Sequence, residues 1–189
     1  MAKIILLNGP PAAGKTTVSK LFIKEQEPVE WAYISQDDIR QSVKSGYGSA
    51  DKTRDTWDKR TKSQWLVGIE NCVDLAVNFQ QMGISCIVDF YATETEFKHW
   101  KELLKGVDFV HVVLIPGITV DLARNAGRKL PAHLTNKKIT ESYKEFEGWA
   151  TSRDVILIDN SSQTPKQTVE LLVSLTKNLP KSQNAHPLL

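Results

Sequence analysis

Short apolar runs alternate along this chain with longer stretches in which apolar residues recur every three or four positions. Residues 3–8, Lys3-Ile4-Ile5-Leu6-Leu7-Asn8, form a run too short for most helices and suited to a strand buried on both faces. Val18, Leu21 and Phe22 then recur at i, i+3 and i+4 with polar residues between them, and Pro28 stops that helical pattern. Residues 32–35 predict a second strand running directly into a short helix over 36–43. A long helix is expected over 61–82, where Trp65, Ile69, Cys72, Ala76 and Phe79 are spaced alternately by four and three and Gly83 stands ready to end it. Residues 84–90 predict a third strand, 94–105 a helix, 109–115 a fourth strand and 119–125 the start of another helix. One helix is expected over 135–149 with Ile139, Tyr143 and Phe146 on a common face, then a fifth strand over 155–158. Thr164, Pro165 and Gln167 open a last helix as a capping box with proline at the first position. Strands alternating with helices in this way predict an α/β domain with a parallel sheet.

Length and charge narrow the picture. At 189 residues and 21.2 kDa the chain suits one domain, expected over 1–179, with a polar tail over 180–189. The net charge of +2, from 24 basic and 22 acidic residues, argues neither for a nucleic-acid groove nor for an anionic membrane surface. No apolar run approaches a membrane span and the N-terminus lacks a secretory pattern, so a cytoplasmic protein without membrane partners is expected. Cys72 and Cys86, the only two cysteines, fall on an apolar helix face and in a strand and read as buried, reduced thiols. His99, His111, His133 and His186 show no metal-ligand spacing.

The candidate chemistry is concentrated between the first strand and the first helix. Gly9-Pro10-Pro11-Ala12-Ala13-Gly14-Lys15-Thr16 fits the phosphate-loop pattern GxxxxGK[ST], and strand, glycine loop and helix form the context that pattern requires. Gly9, Ala12, Ala13, Gly14, Lys15, Thr16 and Thr17 are the expected nucleotide-binding residues. Backbone N–H groups and the helix dipole would cradle the phosphates of ATP, with GTP the lesser alternative. Lys15 would reach the β- and γ-phosphates, and Thr16 offers a hydroxyl to Mg²⁺, an ion that keeps most of its water shell.

Ligands of open parallel sheets gather at the carboxyl ends of the strands, which puts Asp37 and Asp38, just past the second strand, at the mouth of the same crevice. Helix capping is the competing reading and is preferred for Asp38. Asp89, at the end of the third strand, resembles a Walker B acid and is a second metal candidate. Residues 44–60 are polar and long for a connection, as in a substrate lip, and Tyr47 and Trp57 there would either meet an acceptor or staple the loop down. Arg124, Arg128 and Lys129 surround Gly127 like a cationic lid, the alternative being a helix end with cations at its negative pole. Residues 160–163 are a candidate adenine-side loop.

These segments resemble the P-loop kinases of small acceptors, the family of gluconate and shikimate kinases, chloramphenicol phosphotransferase, zeta-toxin-like kinases and the kinase domain of phage polynucleotide kinase. The last is closest, through KIILLNGPPAAGKTTVSKLFIKE and ISQDDIRQS. The resemblance implies the P-loop NTPase three-layer sandwich: a five-stranded parallel sheet of order 2-3-1-4-5, helices on both faces and a lid. It also implies ATP- and Mg²⁺-dependent transfer to a hydroxyl. By motif position it assigns Asp37 as general base, Arg40 as an acceptor contact and Arg128 as the lid arginine, beside catalytic Lys15. Arg124 is expected on the nucleotide, Thr16 and Asp89 at the metal, and Arg40, Asp89 and Tyr91 on the acceptor side. The phage kinase has threonine and asparagine after its third-strand acid, where this chain has Phe90 and Tyr91. That pair, with the low net charge, favours a small hydroxyl compound over a polynucleotide 5′ end. A non-catalytic ATP-binding module is the reading from another class.

Overall fold

Four apolar residues in succession can be buried only if both faces of a strand are covered, and that is how the chain folds. The computed structural model describes residues 2–49, 54–129, 134–152 and 155–177. The strands are β1 (Ile4–Asn8), β2 (Trp31–Ser35), β3 (Ser85–Asp89), β4 (Phe109–Leu114) and β5 (Ile156–Ile158). All pair in parallel, in the order β2-β3-β1-β4-β5. The helices are α1 (Lys15–Glu25), α2 (Gln36–Gln41), α3 (Lys59–Gln81), α4 (Glu94–Leu103), α5 (Ile118–Ala126), α6 (Asn136–Lys144) and α7 (Pro165–Lys177). The expected tail over 180–189 lies outside the described residues.

Side chains alternate across the sheet, so each strand feeds two cores. Ile5, Leu7, Ile87, Val112 and Leu114 meet α1 and α7 through Val18, Phe22, Val169 and Leu172. Ile4, Leu6, Cys86, Val88 and Val113 meet α3 and α4 through Ile69, Cys72, Phe97 and Trp100. Both cysteines are buried and free, and burial pushes the Cys86 thiol up to about 12, as expected of inert structural thiols. Gly83 does end α3, at φ 83, and the capping box at α7 forms between Thr164 and Gln167.

The structure corrects the helix expected over 135–149. It stops at Lys144, and a 3₁₀ turn, Glu147–Thr151, follows. Phe146 and Trp149 are both buried in the core beneath α4, and a 3₁₀ turn, with three residues per turn, lines positions i and i+3 up directly where an α-helix offsets them by about 60°. The cap of α2 is also different from that expected: Ser35 Oγ accepts from Asp38 N at 3.2 Å, so neither Asp37 nor Asp38 is the cap. Phe90 is a third correction. It lies wholly in the core, 4.3 Å from the Trp100 ring centroid, and presents nothing to an acceptor.

His111 stacks on Phe97 at 3.8 Å within that aromatic cluster, and neither ring nitrogen has a partner among the described residues. Burial pushes its pKa down to about 3, aided by the charge of Lys101. Above the unfolded value of about 6.5, both states hold a neutral imidazole and the residue is silent. As pH falls below that value only the unfolded chain takes the proton, and stability drops by about 1.4 kcal/mol per pH unit. His111→Phe should therefore lose about 2 kcal/mol less than the native chain between pH 6.5 and pH 5. Denaturant titrations at the two pH values measure this, and parallel losses would remove His111 as the acid-sensitive group.

Candidate active site

The loop after β1 turns on backbone conformations that few residues accept. Gly9 has φ 154, and a Cβ there would stand 2.5 Å from the Leu114 carbonyl oxygen of β4. Gly14, at φ 96, is the residue from which α1 starts, and Ala12 takes a left-handed φ of 71 despite its methyl group. Asn8 braces the entry to the loop. Its Oδ1 accepts from Gly9 N at 2.8 Å and from Ala92 N at 3.0 Å, and its Nδ2 donates to Ala92 O at 2.9 Å. The phosphate loop and the segment after β3 are thereby locked in register.

Lys15 folds back over this loop and donates to Gly9 O at 2.8 Å and Pro10 O at 3.1 Å. Burial lowers its pKa, while the carboxylates of Asp89 and Asp37 oppose that shift. Asp89, buried at the end of β3, is raised by burial and held back chiefly by Lys15. Its Oδ2 accepts from Thr16 Oγ1 at 2.6 Å and from the Tyr33 hydroxyl at 3.0 Å. A phosphate-loop lysine, a hydroxyl and an acid thus converge although 73 residues separate the last two.

The hydroxyl and carboxylate of Thr16 and Asp89 are hard oxygen donors at the start of a phosphate-loop helix, which suits Mg²⁺. Among the described residues no group of three or more His, Cys, Asp or Glu could hold a metal. Mg²⁺, which is bound by few protein ligands and completed by phosphates and water, makes no such demand.

On the expected nucleotide side Arg124 donates to Ala13 O at 3.3 Å and to Asn160 O at 2.9 Å, while Asn160 Nδ2 donates to Ala13 O at 3.0 Å. The expected adenine-side loop therefore abuts the phosphate loop through Asn160. Arg128 is exposed at the end of α5, near enough for its charge to act on Lys15 and on buried Asp121. Asn125 exchanges two hydrogen bonds with the Leu134 backbone, at 2.7 and 3.1 Å, tying the end of α5 to the chain ahead of α6.

The expected acceptor side is more tightly tied than the sequence suggests. Asp37 is open, its side chain 75% exposed, and it lies 3.6 Å from Arg40. Arg40 is buried; it donates to Gly48 O at 3.2 Å and lies 4.6 Å over the Trp65 ring and 5.6 Å over Tyr47. Gly68 of α3 makes that burial possible, because a Cβ there would meet Arg40 Cγ at 2.6 Å. Tyr91 donates its hydroxyl to Glu145 at 2.6 Å and its backbone N–H to Gln36. Arg54 pairs with Glu96 and Glu145 and lies over Trp57, Trp65 and Tyr91, so Trp57 works as a staple of the 44–60 segment. Asp38 lies apart, in an open groove of about 690 Å³ between α2 and α3 that also includes Asn71 and Asp74.

Sequence reading missed Asn8, Tyr33, Asp121 and Asn125. A polar residue closing an apolar strand was the available signal for Asn8, whereas nothing local marks Tyr33 as the partner of Asp89.

Known proteins share this fold. No curated protein matches the sequence. A sugar kinase from Janibacter sp. HTCC2649 superimposes with a TM-score of 0.68 at 15% identity, over 95% of this chain and 97% of the other. The tunicamycin resistance protein of Deinococcus radiodurans gives 0.66 at 19% identity, over 99% and 100%. Shikimate kinase from Acinetobacter baumannii, in complex with shikimate, gives 0.64 at 14%, over 95% and 97%. At such identities these likenesses establish the fold. The family model described as an AAA domain matches residues 4–148, from β1 to just beyond α6, and the chain belongs to that AAA-domain family.

Proposed function

We propose that the protein is a Mg²⁺-dependent kinase that moves the γ-phosphoryl group of ATP to a hydroxyl of a small molecule. The observation that carries this reading is the convergence of Lys15, Thr16, Asp89 and open Asp37 on one phosphate loop. Lys15 and the amides from Ala13 to Thr16 hold the phosphates. Thr16 and Asp89 would hold Mg²⁺, which supplies charge neutralisation on the phosphate oxygens. Asp37 takes the proton of the acceptor hydroxyl as its oxygen bonds to phosphorus and the bond from phosphorus to the departing diphosphate breaks. Arg128 meets the charge on the migrating group, where an arginine is worth about 10³- to 10⁵-fold. Arg124 secures the nucleotide side. One catalytic domain over 1–179 in a cytoplasmic setting goes with this reading; among the described residues no helix is long and apolar enough to cross a membrane.

The acceptor class rests on the acceptor wall. Arg40 already serves Gly48, Asp37 and Trp65, and Arg54 is matched by two carboxylates, so neither cation is presented to a phosphate backbone. The DDIRQS segment favours the second reading, a polynucleotide 5′-hydroxyl kinase. Radiolabelled ATP offered with a 5′-hydroxyl oligonucleotide, and separately with sugars, polyols and amino-sugar alcohols, decides between them. Label should pass to a member of the small-molecule panel. Efficient labelling of the oligonucleotide, weakening steeply with salt, would overturn the small-acceptor assignment. Binding of ATP with transfer to nothing offered, water included, would favour the regulatory module.

A further inference from the structure

Asp121, Arg124, Asn125 and Arg128 stand at i, i+3, i+4 and i+7, which makes them one stripe along α5 and its end. Arg124 braces the phosphate loop, Asn125 ties the end of α5 to Leu134, and Arg128 is the lid cation of the proposed mechanism. Asp121 has no such task. It is fully buried, and neither carboxylate oxygen accepts a hydrogen bond among the described residues. An acid in that condition is costly, and an apolar side chain would fill the space without the cost.

The charged and titratable groups that act on Asp121 are Lys15 from the phosphate loop, Arg124 and Arg128 from its own helix, and Tyr143 from α6, whose hydroxyl is raised in part by Asp121. Burial pushes the Asp121 carboxyl up to about 7, and the three cations keep it from rising further. A polyphosphate entering the loop would take Lys15 and Arg128 as its own partners and add negative charge beside them. Two of the three charges that hold Asp121 ionised, Lys15 the largest of them, would then be offset, and only Arg124 would remain.

We propose that Asp121 is a further nucleotide-binding residue, which takes up a proton as the polyphosphate enters and changes from a counter-charge for Lys15 and Arg128 into a hydrogen-bond donor. This rests on the nucleotide site proposed above. It makes nucleotide affinity proton-linked: binding weakens as pH rises, because the proton must be found in ever more alkaline solution.

The test is isothermal titration of the full chain with Mg²⁺–ADP at pH 7.5 in two buffers of different ionisation enthalpy. The native protein should take up about 0.7 proton per nucleotide. Lys15 and Asp89 are also able to gain a proton, so Asp121→Asn, which imitates the neutral acid, isolates the share of Asp121; its uptake should fall by more than half. Equal uptake in Asp121→Asn and the native chain, or no uptake in the native chain, would overturn the proposal. If Asp121→Asn does not fold, infrared difference spectra of the native chain with ¹³C-labelled aspartate replace it. A protonated carboxyl band must then appear on nucleotide addition, and its absence counts against Asp121. Failure of the native chain to bind Mg²⁺–ADP at all would instead sink the kinase reading itself.

Discussion

Lys15→Ala is expected to abolish phosphoryl transfer and to weaken ATP binding. Its ammonium is the one side-chain cation that the loop itself carries to the phosphates, and removing a single preorganised electrostatic contact costs about 10²- to 10³-fold in turnover. A second loss should add to the first. Burial raises the Asp89 carboxyl and Lys15 is the largest influence holding it down, so without Lys15 the acid stays protonated to higher pH. Its Mg²⁺ requirement should then rise as pH falls, because a neutral carboxyl is a poor metal ligand. Isothermal titration with ATP, turnover assays and Mg²⁺ titrations at two pH values check these outcomes. ATP affinity and turnover close to native would rule out this loop as the active nucleotide site.

Asp37→Asn should leave fold and ATP affinity in place while turnover falls by about 10²- to 10⁴-fold, the range for a lost general base. The exposure of its side chain lets an acceptor hydroxyl reach it. The amide keeps the shape, and buried Arg40 keeps Gly48 and the Trp65 ring, so the loss should be chemical rather than structural. Asp38→Asn is the control. Asp38 lies in the groove between α2 and α3, and Ser35 does the capping, so only a few-fold change is expected. A reversal of the two effects would mean that the acceptor approaches from the groove side.

Lys15, Thr16 and the glycines that shape their loop were legible because the phosphate loop is contiguous: its donors are consecutive backbone groups, and the spacing of its residues is its geometry. The strands were legible for a related reason. Ile4 to Leu7 must be covered on both faces, and no local alternative satisfies four adjacent apolar side chains. Asp89 and Asp37 could be placed at the crevice because strand ends in a parallel sheet share one edge. The length of the helix begun at Thr135 was not legible, since the α and 3₁₀ patterns differ only in how Phe146 and Trp149 must face a core built by α4.

The alternation of strand and helix, the phosphate loop and the carboxylates at the strand ends could be read from neighbouring residues and from period alone. Packing across the fold settled that Tyr33 and Thr16 share one oxygen of Asp89, that Arg40 is sunk behind Gly68, and that Asp121 is buried with no hydrogen-bond partner among the described residues. Those facts depend on groups tens of residues apart being packed out of water, where the cost of an unmet charge or hydrogen bond is set by what stands beside it in space and by nothing adjacent in the chain.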